Sequence, residues 1–336
     1  MSMSSEDSFS SLGKIEAINN LLSSAGLKRE SSFSPTDGSL VKSACRIFLE
    51  GIDFDLIYFP LPHLGYKCVV AVTGELFAAL AHPRVLQVRL GVSAKLDYKN
   101  VQELFKGIVA AAKEFGYASM DLDLVPSPNG LTIGISAVGE ELKSTEERRR
   151  TANSKDLICI SGSLGAAFLG QMILERGKKN FERDSSQPDL EKYKMLVGSY
   201  LKPELNASIL SNFEDDDIIP SNAYLVSHGL GDAVKRLVRD TGLGAKVYAD
   251  KIPFEGNSFD TGKELDIDPI SAAMNGGDDF KLLFTIPILS AEKFRRDFQT
   301  FEIIGHLAQS DVGSVLVTPD GLEHPITAQG WPQEAE

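Results

Sequence analysis

Apolar residues recur along this chain at two spacings, and the alternation between them predicts helices mixed with strands. Leu12, Ile15, Ile18, Leu21 and Leu22 fall at helical spacing with Gly26 just beyond, which predicts one short amphipathic helix. Lys28 to Gly38 is polar and turn-rich, and apolar character returns at Leu40 to Leu49. Glu50 to Lys67 alternates first and then breaks at Pro60 and Pro62, so it reads as a strand entering a proline-shaped loop. Val69 to Leu80 follows as a helix closed by Pro83. Leu86, Val88, Leu90 and Val92 have the period of a half-buried strand, and so do Leu131, Ile133, Ile135 and Ala137. Between these strands, Asp97 caps a helix whose face is Val101, Leu104, Phe105, Ile108, Val109 and Ala112, and Gly116 ends it.

Between Glu140 and Lys155 the text turns charged, which predicts a domain boundary. Leu157 to Ile160 then runs as a strand into S-G-S-L-G-A-A and a helix reaching about Arg176. Such a turn can cradle phosphate, but it lacks the full dinucleotide fingerprint and the P-loop lysine, so close packing of strand on helix is the favoured reading. Gly177 to Asp189 reads as a linker, with helical segments near Leu190 to Leu201 and Leu205 to Phe213 and a solvated acid run at Glu214 to Asp217. Ser227-His228-Gly229-Leu230 opens a helix ended by Gly242 and Gly244, and Val247 continues as a strand. Short strands are expected at Ile303 to Leu307 and Val315 to Thr318. In Ser271 to Thr285, two glycines and the pair Asp278-Asp279 precede the apolar Phe280, Leu282, Leu283 and Phe284. Carboxylates held at the mouth of a strand can coordinate Mg²⁺ or accept hydrogen bonds from a ligand. A Gly-Gly turn with a solvated acidic pair explains the same letters equally well.

Composition narrows the function classes. The 336 residues are enough for two domains, and a net charge of -13 repels a phosphate backbone, which argues against a nucleic-acid partner. No segment approaches the roughly eighteen consecutive apolar residues of a membrane span, and the Ser-rich acidic start does not read as an export signal. Cys45, Cys68 and Cys159 lie in apolar runs without metal-ligand spacing and read as reduced core residues of a cytoplasmic protein. Trp331, the single tryptophan, reads as cover for a core edge or as a platform for a flat heteroaromatic ligand.

Six blocks in order carry a resemblance. They are E-G-I-D-F-D-L at 50 to 56, H-L-G-Y-K at 63 to 67, L-T-I-G-I-S-A-V-G-E at 131 to 140, D-L-I-C-I-S-G-S-L-G-A-A at 156 to 167, N-G-G-D-D-F-K-L-L-F-T at 275 to 285 and T-A-Q-G-W at 327 to 331. Together they resemble the thiamine-monophosphate kinase family of the aminoimidazole ribonucleotide synthetase-like superfamily. The resemblance implies a two-domain α/β (α+β) fold, with domains at 1–141 and 150–336. The first domain would pair with its copy in a homodimer that closes a β-barrel. It also implies transfer of phosphate from ATP to thiamine phosphate, with Mg²⁺ ions on scattered aspartates neutralising the transferring group. Carried over by motif, Asp123 and Asp279 would be catalytic and Glu75 and Asp123 would hold metal. Asp53, Asp278 and Trp331 would contact substrate, and Phe105 and Arg149 the nucleotide.

The chain departs from the family where metal-binding aspartates belong. Arg46, Leu225 and His228 stand at such positions, and Glu75 is one methylene longer than the Asp it replaces. Asp123 survives in its block, but Asp121 and Leu122 stand where the family has two glycines admitting phosphate. Exchanging Asp for Arg turns attraction into repulsion, at roughly 4 kcal/mol per pair of unit charges about 4 Å apart under an effective dielectric of about 20. The expectation is a kinase-like protein with impaired or lost catalysis and a binding or regulatory role. The alternative is an active kinase in which Arg46 and His228 meet phosphate directly.

Overall fold

The strand-period segments of the first half pair into one sheet, seen in a computed structural model of the chain. The structure describes residues 14–26, 28–29, 40–141, 150–215, 217–297, 301–329 and 331. Its contacts divide it into Met1–Lys143 and Ser144–Glu336.

In the first unit β1 (Lys28–Arg29), β2 (Val41–Leu49), β3 (Ala81–Ser93), β4 (Ser119–Ser127) and β5 (Thr132–Glu141) lie in the order β1-β4-β3-β5-β2. β4 runs parallel to β3, while β5 is antiparallel to both β3 and β2. Leu86, Val88, Leu90, Met120, Leu122, Ile133, Ile135 and Ala137 are buried on one face, against which α2 (Leu61–Ala78) packs. α3 (Tyr98–Glu114) lies on α2, and α1 (Lys14–Ala25) contacts α3 and β4. The Asp97 cap forms as expected: its carboxylate accepts the Asn100 N–H at 2.8 Å, and the Asn100 side chain accepts the Asp97 N–H at 3.0 Å. Gly116 follows α3 at φ 77°.

Three expectations change here. The proline pair does not shape a loop: α2 begins at Leu61 after the cap residue Pro60, with Pro62 in its first turn, where a missing N–H breaks no helical bond. β4 was not foreseen, and its Asp121-Leu122-Asp123-Leu124 alternation is that of a half-buried strand. Cys45 is exposed rather than in the core, while Cys68 and Cys159 are buried. The outer face carries exposed Ile47 and Cys45 beside Arg89, Asp121 and Asp123, and the five strands do not close on themselves.

The second unit has a seven-stranded sheet ordered β12-β11-β8-β10-β6-β9-β7. Its strands are β6 (Leu157–Ile160), β7 (Ala223–Val226), β8 (Gly244–Tyr248), β9 (Lys281–Ile286), β10 (Glu302–Ala308), β11 (Ser314–Val317) and β12 (Glu323–Pro325). Its helices are α4 (Ala166–Asp184), α5 (Lys194–Leu201), α6 (Ile209–Asp215), α7 (Leu230–Thr241), α8 (Ser258–Leu265), α9 (Pro269–Asn275) and α10 (Ala291–Asp297). Ile158, Ile160, Val247, Leu283 and Ile304 of the sheet bury with Leu230, Val234 and Leu237 of α7 in one core. α4 runs past Arg176 to Asp184, so much of the expected linker is helix. Among the described residues no helix is long and apolar enough to cross a membrane.

Candidate functional site

The second unit gathers five candidates around the end of β7. β7 pairs with β9 so that Leu225 faces Leu282 in register, and Leu225 is buried. The chain leaves β7 through Ser227 and His228 and enters α7 at Gly229, whose φ of 86° admits the turn. The glycine-acid loop docks on this exit: the Asp278 N–H donates to the Ser227 carbonyl at 3.0 Å, and the Phe280 N–H to the Val226 carbonyl at 2.9 Å. Asp278 and Phe280 both adopt positive φ, 59° and 48°, a conformation costly for residues with a Cβ. The loop thus turns twice in three residues, and the two aspartates part. Asp278 stays half-exposed and Asp279 is buried.

Asp279 is directed at the start of α4. Its carboxylate accepts the Gly165 N–H at 2.8 Å and the Ala167 N–H at 3.2 Å. The glycine turn that could have cradled a phosphate is therefore capped by the protein's own carboxylate. Burial pushes the Asp279 carboxyl up from its usual 3.8 to about 7; the two backbone donors and Lys281 oppose that rise and Asp278 adds to it. Lys281, whose lone position in an apolar strand gave it no function in the sequence, donates to the Glu204 carbonyl at 3.0 Å. Burial holds its pKa below the usual range, against the pull of Asp279, Glu204 and Glu255.

Trp331 is fixed to α7. Its indole N–H donates to Asp232 at 2.8 Å, and the Arg239 guanidinium carbon lies 5.4 Å from the ring centroid. Asp232 also pairs with Arg236 at 3.0 Å, and Arg236 donates to the Leu225 carbonyl at 2.7 Å. A continuous chain of contacts thus joins Trp331 to the strand end. No local spacing marks it, because Asp232, Arg236 and Arg239 meet Trp331 and the strand end only once the chain is folded. His228 is exposed at the strand end, with its Nδ1 3.0 Å from the Ser227 hydroxyl.

The first-unit candidates are dispersed. Arg46 pairs in register with buried Ile135, on the face toward α2, and its guanidinium sits 4.8 Å from the Phe48 centroid. Asp123 stands across from Arg89 in register on the opposite face, where Arg89 forms its ion pair with Asp121 at 2.6 Å. Glu75 belongs to α2, so Glu75 and Asp123 are not brought to one ion within the unit. Asp53 closes a turn by accepting the Leu49 N–H at 2.8 Å, and Phe105 is a core residue of α3. Arg149 lies outside the described residues. No group of three or more metal-ligating side chains gathers among the described residues. The first-unit residue not foreseen is Lys67 of H-L-G-Y-K, fully buried in α2 with its ammonium 5.3 Å from the Phe59 centroid.

No family model matches the chain. The thiamine-monophosphate kinase of Pyrococcus horikoshii is 26% identical over 267 residues, covering 80% of this chain and 78% of that protein. The Aquifex aeolicus thiamine-monophosphate kinase, solved in complex with AMPPCP and TMP, superposes at a TM-score of 0.70 with 19% identity, over 96% of this chain and 99% of that one. The E. coli hydrogenase maturation protein HypE superposes at 0.69 with 14% identity, over 94% and 98%. In sequence this chain is similar to the thiamine-monophosphate kinases, and it shares its fold with them and with HypE.

Proposed function

We propose that the protein is a thiamine-monophosphate-kinase-like binding or regulatory protein with impaired or lost phosphoryl transfer. The observation that carries this reading is the fate of the acidic pair. Asp279, the carboxylate that would serve catalysis, is buried and engaged by two backbone donors of α4. The changes at Arg46, Leu225 and His228 support it: a cation, a buried apolar side chain and an imidazole cannot supply the anionic ligands that phosphoryl transfer asks of Mg²⁺. If Mg-ATP binds, Asp123 on the outer face of the first sheet is the carboxylate that would approach the metal. Within the second unit, half-exposed Asp278 and Trp331, fixed to α7, would face a thiamine-phosphate-like ligand.

ADP formation from Mg-ATP and thiamine monophosphate is expected at background, while calorimetry shows saturable binding of thiamine monophosphate. Turnover near the low end for kinases, about 1 per second, would overturn the loss of catalysis. Absence of heat up to millimolar ligand would overturn the binding function. The exposure of His228 favours the second reading, a kinase that meets phosphate directly. Loss of a measurable turnover in His228→Ala would support that reading.

The outer face of the first sheet, with Ile47 and its neighbours, is proposed to pair with a second copy in a homodimer and complete a barrel. Light scattering at micromolar concentration is expected to give twice the mass of the 36.5 kDa chain. An Ile47→Lys variant is expected to give the monomer mass. A wild-type monomer contradicts the pairing.

A further inference from the structure

The sheet of the second unit buries one face under α7, and alternation turns Leu157, Tyr248 and His306 to the other. There a cavity of about 530 Å³ opens along β6, β8 and β10, within the size range of small-molecule sites. It combines two kinds of lining. Tyr248 and His306 stack with ring centroids 5.8 Å apart and planes inclined by 30°, and Phe294 and Phe301 add two further rings. Lys155, Lys251 and Arg295 bring three cations, against Glu302 as the one carboxylate among the described lining residues.

That charge runs against the chain, which carries 47 acidic and 34 basic side chains. A lining drawn at random from this sequence would be net acidic, so the basic lining calls for an anion. Lys251 has Asp250 at 3.6 Å, an exposed pair too weak to neutralise it. Lys155 is held at a positive φ of 76° while its N–H donates to the Leu307 carbonyl at 2.7 Å, a conformation unfavourable for a lysine.

We propose that this cavity binds a small molecule made of a planar ring and a phosphate, the ring stacking on the Tyr248–His306 pair and the phosphate held by Lys155, Lys251 and Arg295. The site lies wholly within the second unit and is independent of the kinase-like reading above. His306 makes it pH-sensitive. Burial and Lys246 hold its pKa below the usual 6.5. It faces the Tyr248 hydroxyl at 3.4 Å, with Lys155, Lys251, Arg295 and Glu302 around the same cavity. A bound anion adds to Glu302 in favouring the imidazolium, so binding tightens as pH falls below 6.5.

The test is side-chain NMR of the five histidines in the full chain, with His306 assigned by a His306→Gln variant and AMP as the probe. Saturable movement of the His306 signal by AMP is expected, with adenosine and inorganic phosphate each at least about tenfold weaker. A Lys251→Glu, Arg295→Glu variant with unchanged melting is expected to weaken AMP about tenfold or more. Three results would overturn the proposal: no movement of His306 up to millimolar AMP, movement of other histidines alone, or an affinity unaltered by the double charge reversal. Phosphate acting as well as AMP would refute the ring contact.

Discussion

Gly107→Ala should melt far below the native protein. A Cβ at Gly107 would lie 1.8 Å from the Pro62 carbonyl oxygen, and one at Gly65 would lie 2.1 Å from the Leu104 carbonyl oxygen. The two glycines face each other across α2 and α3, so each is the seat for the other helix's backbone. Backbone cannot rotate away as a side chain can, and the helices must separate along a contact that buries Leu64, Leu104 and Ile108. Overpacking of this kind costs about 3 kcal/mol or more. That corresponds to roughly 10 °C in melting temperature for a unit of this size. Gly198→Ala is the control, since nothing lies within 4 Å of its Cβ position in α5. It should raise stability by up to about 1 kcal/mol through helix propensity. Equal melting of Gly107→Ala and wild type in a calorimetric scan would contradict the close approach of α2 and α3.

Asp279 should dominate the pH dependence of the second unit. Its carboxyl titrates near 3.8 when unfolded and at about 7 in the fold, because burial opposes its charge. The folded chain therefore binds the proton more tightly, and stability from this group is fullest below 3.8. It falls as pH rises and is lost once pH passes about 7. A displacement of that size corresponds to on the order of 4 kcal/mol. Asp279→Asn should flatten the slope between those limits, since an amide oxygen still accepts one α4 donor and carries no charge. Asp279→Ala should flatten it too, but should lose about 1–3 kcal/mol at low pH through the unpaired Gly165 and Ala167 N–H groups. Denaturant midpoints measured from pH 4 to 8 distinguish the three proteins. An unchanged slope in Asp279→Asn would show that another group sets it.

The sequence by itself determined the local events. The Asp97 cap, the ends of α3 at Gly116 and α7 at Gly242, and the alternating strands β3 and β5 are decided within a few residues. Spacing alone therefore predicts them. The block order likewise carried the relationship to the kinases across both units. What only the tertiary structure decided is where the chemistry points. The start of α2 was hidden because prolines that forbid a helix interior are welcome in its first turn. Arg46 and Asp123 occupy related motif positions, yet register puts them on opposite faces of one sheet, and a one-residue change of phase would reverse that. Asp278 and Asp279 are neighbours with the same side chain. Their different surroundings follow from positive φ at Asp278 and Phe280 and from a helix start more than a hundred residues earlier in the chain. No local period encodes such a contact, because it is set by which packed elements meet at the strand end.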